Sequence, residues 1–419
     1  MADQADLKMS QKWKAILKKI IGEDTLRRIR ASLNQRKISK MGMMYREPFD
    51  RHAFSRGINL VGMFAQDSGL GQSCRLLAKE IKKTGSPYHF INHFNYSHLR
   101  VTNHEFDKEL SNDFSYGINI FHENMHEFFL TYYQLGKEKW DKHYNIAFWL
   151  WEMQEFPEEW VPMINQLDEI WTPAEFVSNA VRKVTDKPVY TIPYAMEAPY
   201  DEKFDRDYFS LPKDKFLYLM LFDRNSIAER KNPDGIIKAF KKAFSANDSS
   251  VGLVVKITNE NESELEEIKE QLNGYNVYFV RGVLEKIKLN SLIKCVDVYV
   301  SLHRAEGFGL VLAEAMLLKT ATIATNYSAN TEFQDHNTAC LVDYKLIPVG
   351  KSMYPYKKND LWADPDINHA AMYMRKLYND PEYKAEIEKK AYDKMSSDDT
   401  ILLPSKLIAE RVREIYENI

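Results

Sequence analysis

VDVYVSLHRAEGFGLVLAEAM, residues 296–316, decides the fold of this chain. Val296–Leu302 is a short apolar run rich in β-branched side chains, which reads as a buried strand. Leu310–Leu318 reads as a helix, and the loop between them carries Gly307 and Gly309. Strand, glycine loop, helix is how an open α/β sheet makes an anion site. The glycines let a ligand approach the backbone, and the first free N–H groups of the helix point at negative charge. Glu306 lies in the loop and Glu314 inside the helix. Carboxylates are poor phosphate ligands but good acceptors of hydroxyls, so one suits a ribose and the other a sugar ring. The competing reading is electrostatic: a glutamate near a helix start suits the dipole.

On either side of this run, short strands alternate with helical stretches, the pattern of parallel sheets. A first α/β domain, 57–198, opens on the strand GINLVGMF, the loop AQDSGLGQS with Gly69 and Gly71, and a helix over Cys74–Thr84. Its further strands are expected at Tyr88–Ile91, Ile118–Phe121, Ile146–Leu150, Glu169–Thr172 and Val189–Ile192. Residues 194–213 are polar, aromatic and punctuated by proline, and fit an interdomain linker. A second α/β domain, 199–400, has strands from Phe216 and near Val251–Ile257, Tyr275–Val280, Val296–Leu302 and Ala321–Ala324. Ala370–Leu377 and Ala409–Ile415 read as terminal helices, the last within a segment 401–419.

Three further clusters carry chemistry. FDRNSIAERKNP, 222–233, sets Arg224, Arg230 and Lys231 between a strand and the helix Gly235–Phe244. Fixed cations beside a helix start suit a diphosphate, and a solvated basic turn is the plainer alternative. FHEN, 121–124, ends a strand, where parallel sheets place ligands, and brings His122 and Asn124 there; a structural histidine is the alternative. FWLWEMQEFPEEW, 148–160, offers Trp151 and Glu152 to a sugar acceptor, against the alternative that its tryptophans are core. Two Asp-x-Asp strings, Asp205–Asp207 and Asp364–Asp366, are read as no metal site, because the cation cluster already supplies the charge.

Composition bounds the rest. The 419 residues suit two or three domains, and a net charge of -3 gives no pull toward nucleic acid. Cys74, Cys295 and Cys340 are far apart and odd in number, which fits a reducing cytosol. No apolar stretch approaches the ~18 residues of a membrane span, and the start MADQADLKMS has no signal-peptide character. Residues 1–56 are distinct, with 14 Lys or Arg against 6 Asp or Glu. Trp13, Ile16, Leu17, Ile20 and Ile21 make one apolar helical face among lysines, with Ser10 as cap and Gly22 as stop. Leu26, Ile29 and Leu33 make a weaker stripe. Residues 10–33 therefore suit an anionic membrane surface, or docking on the protein's own body, or a partner helix.

EGFGLVLAEAM resembles the E-x7-E signature of the retaining glycosyltransferases of family four, the group 1 glycosyltransferases. SxxxRKNP resembles that family's phosphate-binding element, and AQDSGLGQS its first glycine loop. FWLWEM through DEIWTPAEFV (168–177), YSAN (327–330) and WADPD (362–366) resemble its bacterial polysaccharide subgroup. The subgroup often has glycine where this chain has Asn326 and Ala329. The resemblance implies a GT-B fold, two Rossmann-like domains facing across a cleft, with the last helix crossing back to the first domain. It implies catalytic roles for Glu306, Lys231 and His122. It places Gly69, Gly71, Arg230, Gly307, Phe308, Gly309, Leu310 and Glu314 at a nucleotide-sugar donor, with Val283 and Leu284 flanking the base. The family's second cation falls about five residues before the lysine; here that position is Ser226, so Arg224 and Arg230 both stand as candidates.

The implied function is transfer of a hexosyl unit, with retention and without a metal or other cofactor, to a growing, lipid-linked glycan of the cell surface. The donor nearest the motif strings is GDP-mannose. The enzyme would sit peripherally on the inner face of the plasma membrane. A non-catalytic GT-B subunit of a glycan-assembly complex is the alternative, and a phosphorylase or epimerase on the same fold a third. Oligomeric state is not legible.

Overall fold

The computed structural model describes residues 23–93, 102–224, 227–259 and 261–419. Among these residues the chain forms two six-stranded parallel sheets. The first joins β1 (Ser55–Gly62), β2 (Tyr88–Asn92), β3 (Tyr116–His122), β4 (Tyr144–Phe148), β5 (Glu169–Thr172) and β6 (Val189–Thr191) in the order β2-β1-β3-β4-β5-β6. The second joins β7 (Phe216–Asp223), β8 (Val251–Thr258), β9 (Val277–Val280), β10 (Val298–Ser301), β11 (Ala321–Thr325) and β12 (Cys340–Val342) in the order β12-β11-β10-β7-β8-β9. The strand order reverses between β1 and β3 in one sheet, and between β7 and β10 in the other. Ligands of open α/β sheets bind at such points, beyond the carboxyl ends of the strands.

The strands read as near-continuous apolar runs because helices cover both faces of the sheets. The polar exceptions pair among themselves. Asn59, Asn119 and Asn145 occupy matched positions on β1, β3 and β4 and bond side chain to side chain at 2.9 Å. A slip of register in this sheet would leave buried amides without partners.

Helix α1 (Glu23–Met43) precedes the first sheet. Its last turns dock on the protein: Ile38 and Met41 are buried, and Gln166 Nε2 donates to the Met41 carbonyl at 2.7 Å. Ile29 and Leu33 of the expected weaker stripe are exposed. The helix expected over residues 10–22 lies outside the described residues. Helix α2 (Gly69–Lys83) starts at Gly69, earlier than the expected Cys74, because Ser68 caps it: its hydroxyl accepts the Gly71 N–H at 3.1 Å. The linker is laid against the second domain. The Asp201 N–H donates to Ser291 Oγ at 3.0 Å, and the Arg206 guanidinium donates to the Cys295 carbonyl at 2.7 Å and meets Asp297 at 2.9 Å.

Helices α3 (Met125–Leu135) and α4 (Glu175–Arg182) belong to the first domain. The second carries α5 (Ala228–Lys231), α6 (Pro233–Ala243), α7 (Glu262–Gln271), α8 (Lys286–Cys295), α9 (Leu310–Leu317), α10 (Ile367–Asn379) and α11 (Pro381–Met395). Helix α12 (Asp398–Asn418) begins at Asp398 because the Ser397 hydroxyl caps it, and it returns to the first domain. There Tyr416 donates to the Gly57 carbonyl at 3.0 Å, and Arg411 meets the fully buried Glu169 at 2.7 Å. The hairpin β13 (Tyr344–Pro348) and β14 (Leu361–Pro365) is antiparallel, an element the alternating pattern does not foretell.

Candidate active site

Two loops meet at the reversal point of the second sheet. One follows β7 and carries the short helix α5 with Arg230 and Lys231; the other follows β10 and holds Glu306. Asn232 ties them. It takes a left-handed φ of 55°, its amide donates to the Leu302 carbonyl at 2.9 Å, and its oxygen accepts the Gly235 N–H at 3.2 Å. Pro233 opens α6 without wasting an N–H. The Arg304 N–H then bonds the Arg230 carbonyl at 2.7 Å.

The Glu306 carboxylate receives the Lys231 ammonium and lies 3.2 Å from Arg230 Nη1. Arg230 also donates to the Ala305 carbonyl at 2.8 Å, and its Nη2 is 3.8 Å from Glu152 Oε1 of the first domain. Burial opposes the Glu306 charge, but Lys231 and Arg230 outweigh it and hold its pKa at about 2. Burial likewise opposes the Arg230 charge, and Glu306, Tyr356 and Glu152 together raise its pKa. Burial pushes Lys231 down against the pull of Glu306. The site thus holds a permanent carboxylate against a permanent guanidinium.

These groups face a cleft of about 710 Å³ between the domains. The first domain contributes Gly69, Asn124, Trp151 and Glu152 to its wall; the second contributes Arg230, Lys231, Val283, Glu306 and the run Gly307–Leu310. The Gly307 backbone packs against that of Trp151, where a Cβ would come within 3.0 Å of the Trp151 carbonyl oxygen. Gly309 has φ +99° and starts α9. Phe308 meets the edge of Tyr194 at 4.8 Å.

Several expected residues stand elsewhere. Arg224 does not face the cleft; it lies 3.7 Å from Glu264 in a neighbouring depression, so Arg230 is the arginine beside Lys231. Ser226 lies outside the described residues. Gly71 is inside α2, where a Cβ would overlap the Gln66 carbonyl, so it is a packing glycine. Leu284 is half-buried against the core. His122 is fully buried behind the wall, 2.6 Å from Ser73 Oγ and stacked on Phe148, and burial lowers its pKa to about 3. It is therefore neutral and closed off from the cleft. Glu314 is fully buried too; Oε1 binds Lys286, and burial raises its pKa despite that cation. Trp149, Trp151 and Trp160 are buried, the last two with an edge on the cleft wall, and the Trp151 indole donates to the Glu155 carbonyl at 2.8 Å.

The Asp-x-Asp strings make local contacts. Asp207 pairs with Lys213 at 2.5 Å, Asp364 with Arg304 at 2.6 Å, and Asp366 caps α10. Among the described residues no three His, Cys, Asp or Glu side chains converge on a metal position. No described helix is long and apolar enough to cross a membrane. Sequence reading missed Tyr356, whose hydroxyl bonds Glu152, and Lys286; neither stands in a pattern that marks it.

Residues 201–394 match the family model described as glycosyl transferases group 1. No curated protein matches. Solved structures similar to this chain include a glycosyltransferase from Rickettsia africae, at 14% identity and TM-score 0.60, covering 87% of this chain and 100% of that one. Anabaena HepE in complex with UDP-glucose gives 13% identity and TM-score 0.58, over 87% of this chain and 100% of its own. Sucrose-phosphate synthase from Thermosynechococcus elongatus gives 16% and 0.58, over 86% and 98%. The chain thus has the GT-B fold, and its second domain matches the group 1 glycosyl transferases.

Proposed function

We propose that the chain is a retaining glycosyltransferase that moves a hexosyl unit from a nucleotide-diphosphate sugar to a hydroxyl of a growing, lipid-linked glycan. One observation carries this reading: Arg230, Lys231 and Glu306 converge at the reversal point of the second sheet and face the interdomain cleft. Among the described residues, Arg230 Nε is buried there with no hydrogen-bond partner, a donor fit for a phosphate oxygen.

In this reading Lys231 and Arg230 take the negative charge that grows on the leaving diphosphate. Glu306 and the Gly307–Gly309 backbone hold the sugar, and the cleft positions the acceptor hydroxyl. The leaving phosphate accepts the proton of that hydroxyl. The two cations do the work a divalent metal would do, so no metal is required. HepE, which shares the fold, holds UDP and glucose in one complex and UDP-glucose in another, which supports a nucleotide-sugar donor. GDP-mannose is the first donor to test and UDP-glucose the second. Residues 10–33 would rest on the inner face of the plasma membrane and bring the cleft to its acceptor.

The test is a thermal-shift and hydrolysis screen of nucleotide sugars on the full chain. A sugar nucleotide that raises the melting temperature and releases its nucleoside diphosphate supports the reading. Binding with no release of diphosphate, with or without glycoside acceptors, sinks the catalytic part and leaves a non-catalytic GT-B subunit.

A further inference from the structure

Hairpin β13–β14 belongs to the second domain, yet its loop, residues 349–360, reaches the first. Tyr356 is 4% exposed, and its ring lies 5.7 Å from that of Trp151. Its hydroxyl donates to Glu152 Oε2 at 3.1 Å. Lys357 pairs with Glu159 at 2.7 Å, and Tyr354 meets the edge of His126 at 5.8 Å. Pro355 and Tyr356 stand on the cleft wall beside Trp151 and Glu152. The base of the hairpin is fixed: the Ala363 N–H bonds the Arg304 carbonyl at 2.9 Å, and Arg304 pairs with Asp364.

The two oxygens of Glu152 have different surroundings. Oε2 is held by the phenol. Oε1 is 3.8 Å from Arg230 Nη2, too far for a hydrogen bond. An unrestrained carboxylate so near a guanidinium would swing onto Nη2 and form a charge-assisted hydrogen bond. Such a swing would occupy the cation that the donor phosphates need. The bond from Tyr356 works against it, in a carboxylate that lines the cleft.

Resting on the transferase reading, we propose that Tyr356 is a positioning residue: it holds Glu152 off Arg230 Nη2, so that Oε1 accepts a hydroxyl of the incoming glycan while Nη2 is left to the donor. The loop 349–360 is then part of the acceptor subsite, contributed by the domain that binds the donor. The ligand class is a sugar ring that offers a hydroxyl to a carboxylate beside aromatic walls.

The experiment uses the full chain with three variants: Tyr356→Phe, Glu152→Gln, and both together. Phenylalanine keeps the ring packing and removes only the hydroxyl. Donor affinity is read by calorimetry with UDP-glucose and GDP-mannose, and acceptor KM with an array of methyl and p-nitrophenyl glycosides. Tyr356→Phe should raise acceptor KM about five- to tenfold, the effect of one hydrogen bond, and weaken donor binding by a similar factor. In the double variant the amide no longer seeks Arg230, so donor affinity should return to the wild-type value while acceptor KM stays high. A merely structural tyrosine would not show that recovery. Unchanged acceptor KM in Tyr356→Phe, or donor affinity not restored in the double variant, overturns the proposal. So does a wild-type protein that binds donor but uses no glycoside of the array. A wild-type protein that binds no nucleotide sugar fails one level deeper, and the transferase reading falls with it.

Discussion

Replacing Lys231 by alanine removes one of two cations on Glu306 and tests the phosphate site directly. Arg230 remains 3.2 Å from the same carboxylate, so the mutant does not strand a buried charge. Stranding one would cost about 3–5 kcal/mol of stability; the loss here should be well below that. The catalytic effect is different in kind. A charge-assisted hydrogen bond is worth about 1.5–3 kcal/mol, and if it forms in the transition state kcat/KM falls roughly 10- to 150-fold. The loss should appear in kcat as well as KM, because negative charge on the leaving diphosphate grows toward the transition state. The assay is diphosphate release from the donor found by screening, with thermal melts of both proteins alongside. A folded Lys231→Ala protein with unchanged kcat/KM refutes the assignment. So does a protein that loses activity only in proportion to its loss of folded population.

Three further outcomes are expected. Glu306 has a folded pKa of about 2 against an ordinary 4.5, so its contribution to stability is full above about pH 4.5 and fades as pH falls toward 2. Chemical denaturation of wild type and Glu306→Gln should show their difference shrinking by roughly 3 kcal/mol between pH 6 and pH 2, and a constant difference contradicts the ion-pair account. Activity should survive EDTA, because Lys231 and Arg230 carry the charge; complete loss on chelation, restored by Mg²⁺ or Mn²⁺, would show that a metal is needed. Removing residues 1–33 should abolish sedimentation with anionic liposomes but spare the fold, whereas removal through Met43 takes the buried Ile38 and Met41 and should lower the melting temperature sharply. Full-length protein that ignores liposomes disproves the membrane role.

What the sequence determined by itself is what depends on local burial. Strands such as Ile118–Phe121, Val251–Ile257 and Ala321–Ala324 are legible because parallel strands are covered on both faces and need no information from afar. The glycine loop 307–309 was legible for the same reason, since its backbone demand is local. Hairpin β13–β14 was not: Tyr344, Leu346 and Leu361 are exposed, and its base is held by the distant Arg304, whose carbonyl accepts the Ala363 N–H. The start of α2 is displaced because Gly69 and Gly71 read as loop, while the turn that brings the Gln66 carbonyl against Gly71 is a matter of loop conformation that residue type alone does not specify.

The site divides along the same line. Sequence marked Glu306 and Lys231 as members of separate motifs 75 residues apart; only the adjacency of β7 and β10 joins them. Sequence left Arg224 and Arg230 open, and the turn after β7 points one toward Glu264 and the other into the cleft. His122 ends β3 and Asn124 follows two residues later at the start of α3, yet one is sealed against Phe148 and the other lines the wall. A motif states which groups are available, but whether a side chain meets a ligand or the core depends on what another part of the chain lays over it.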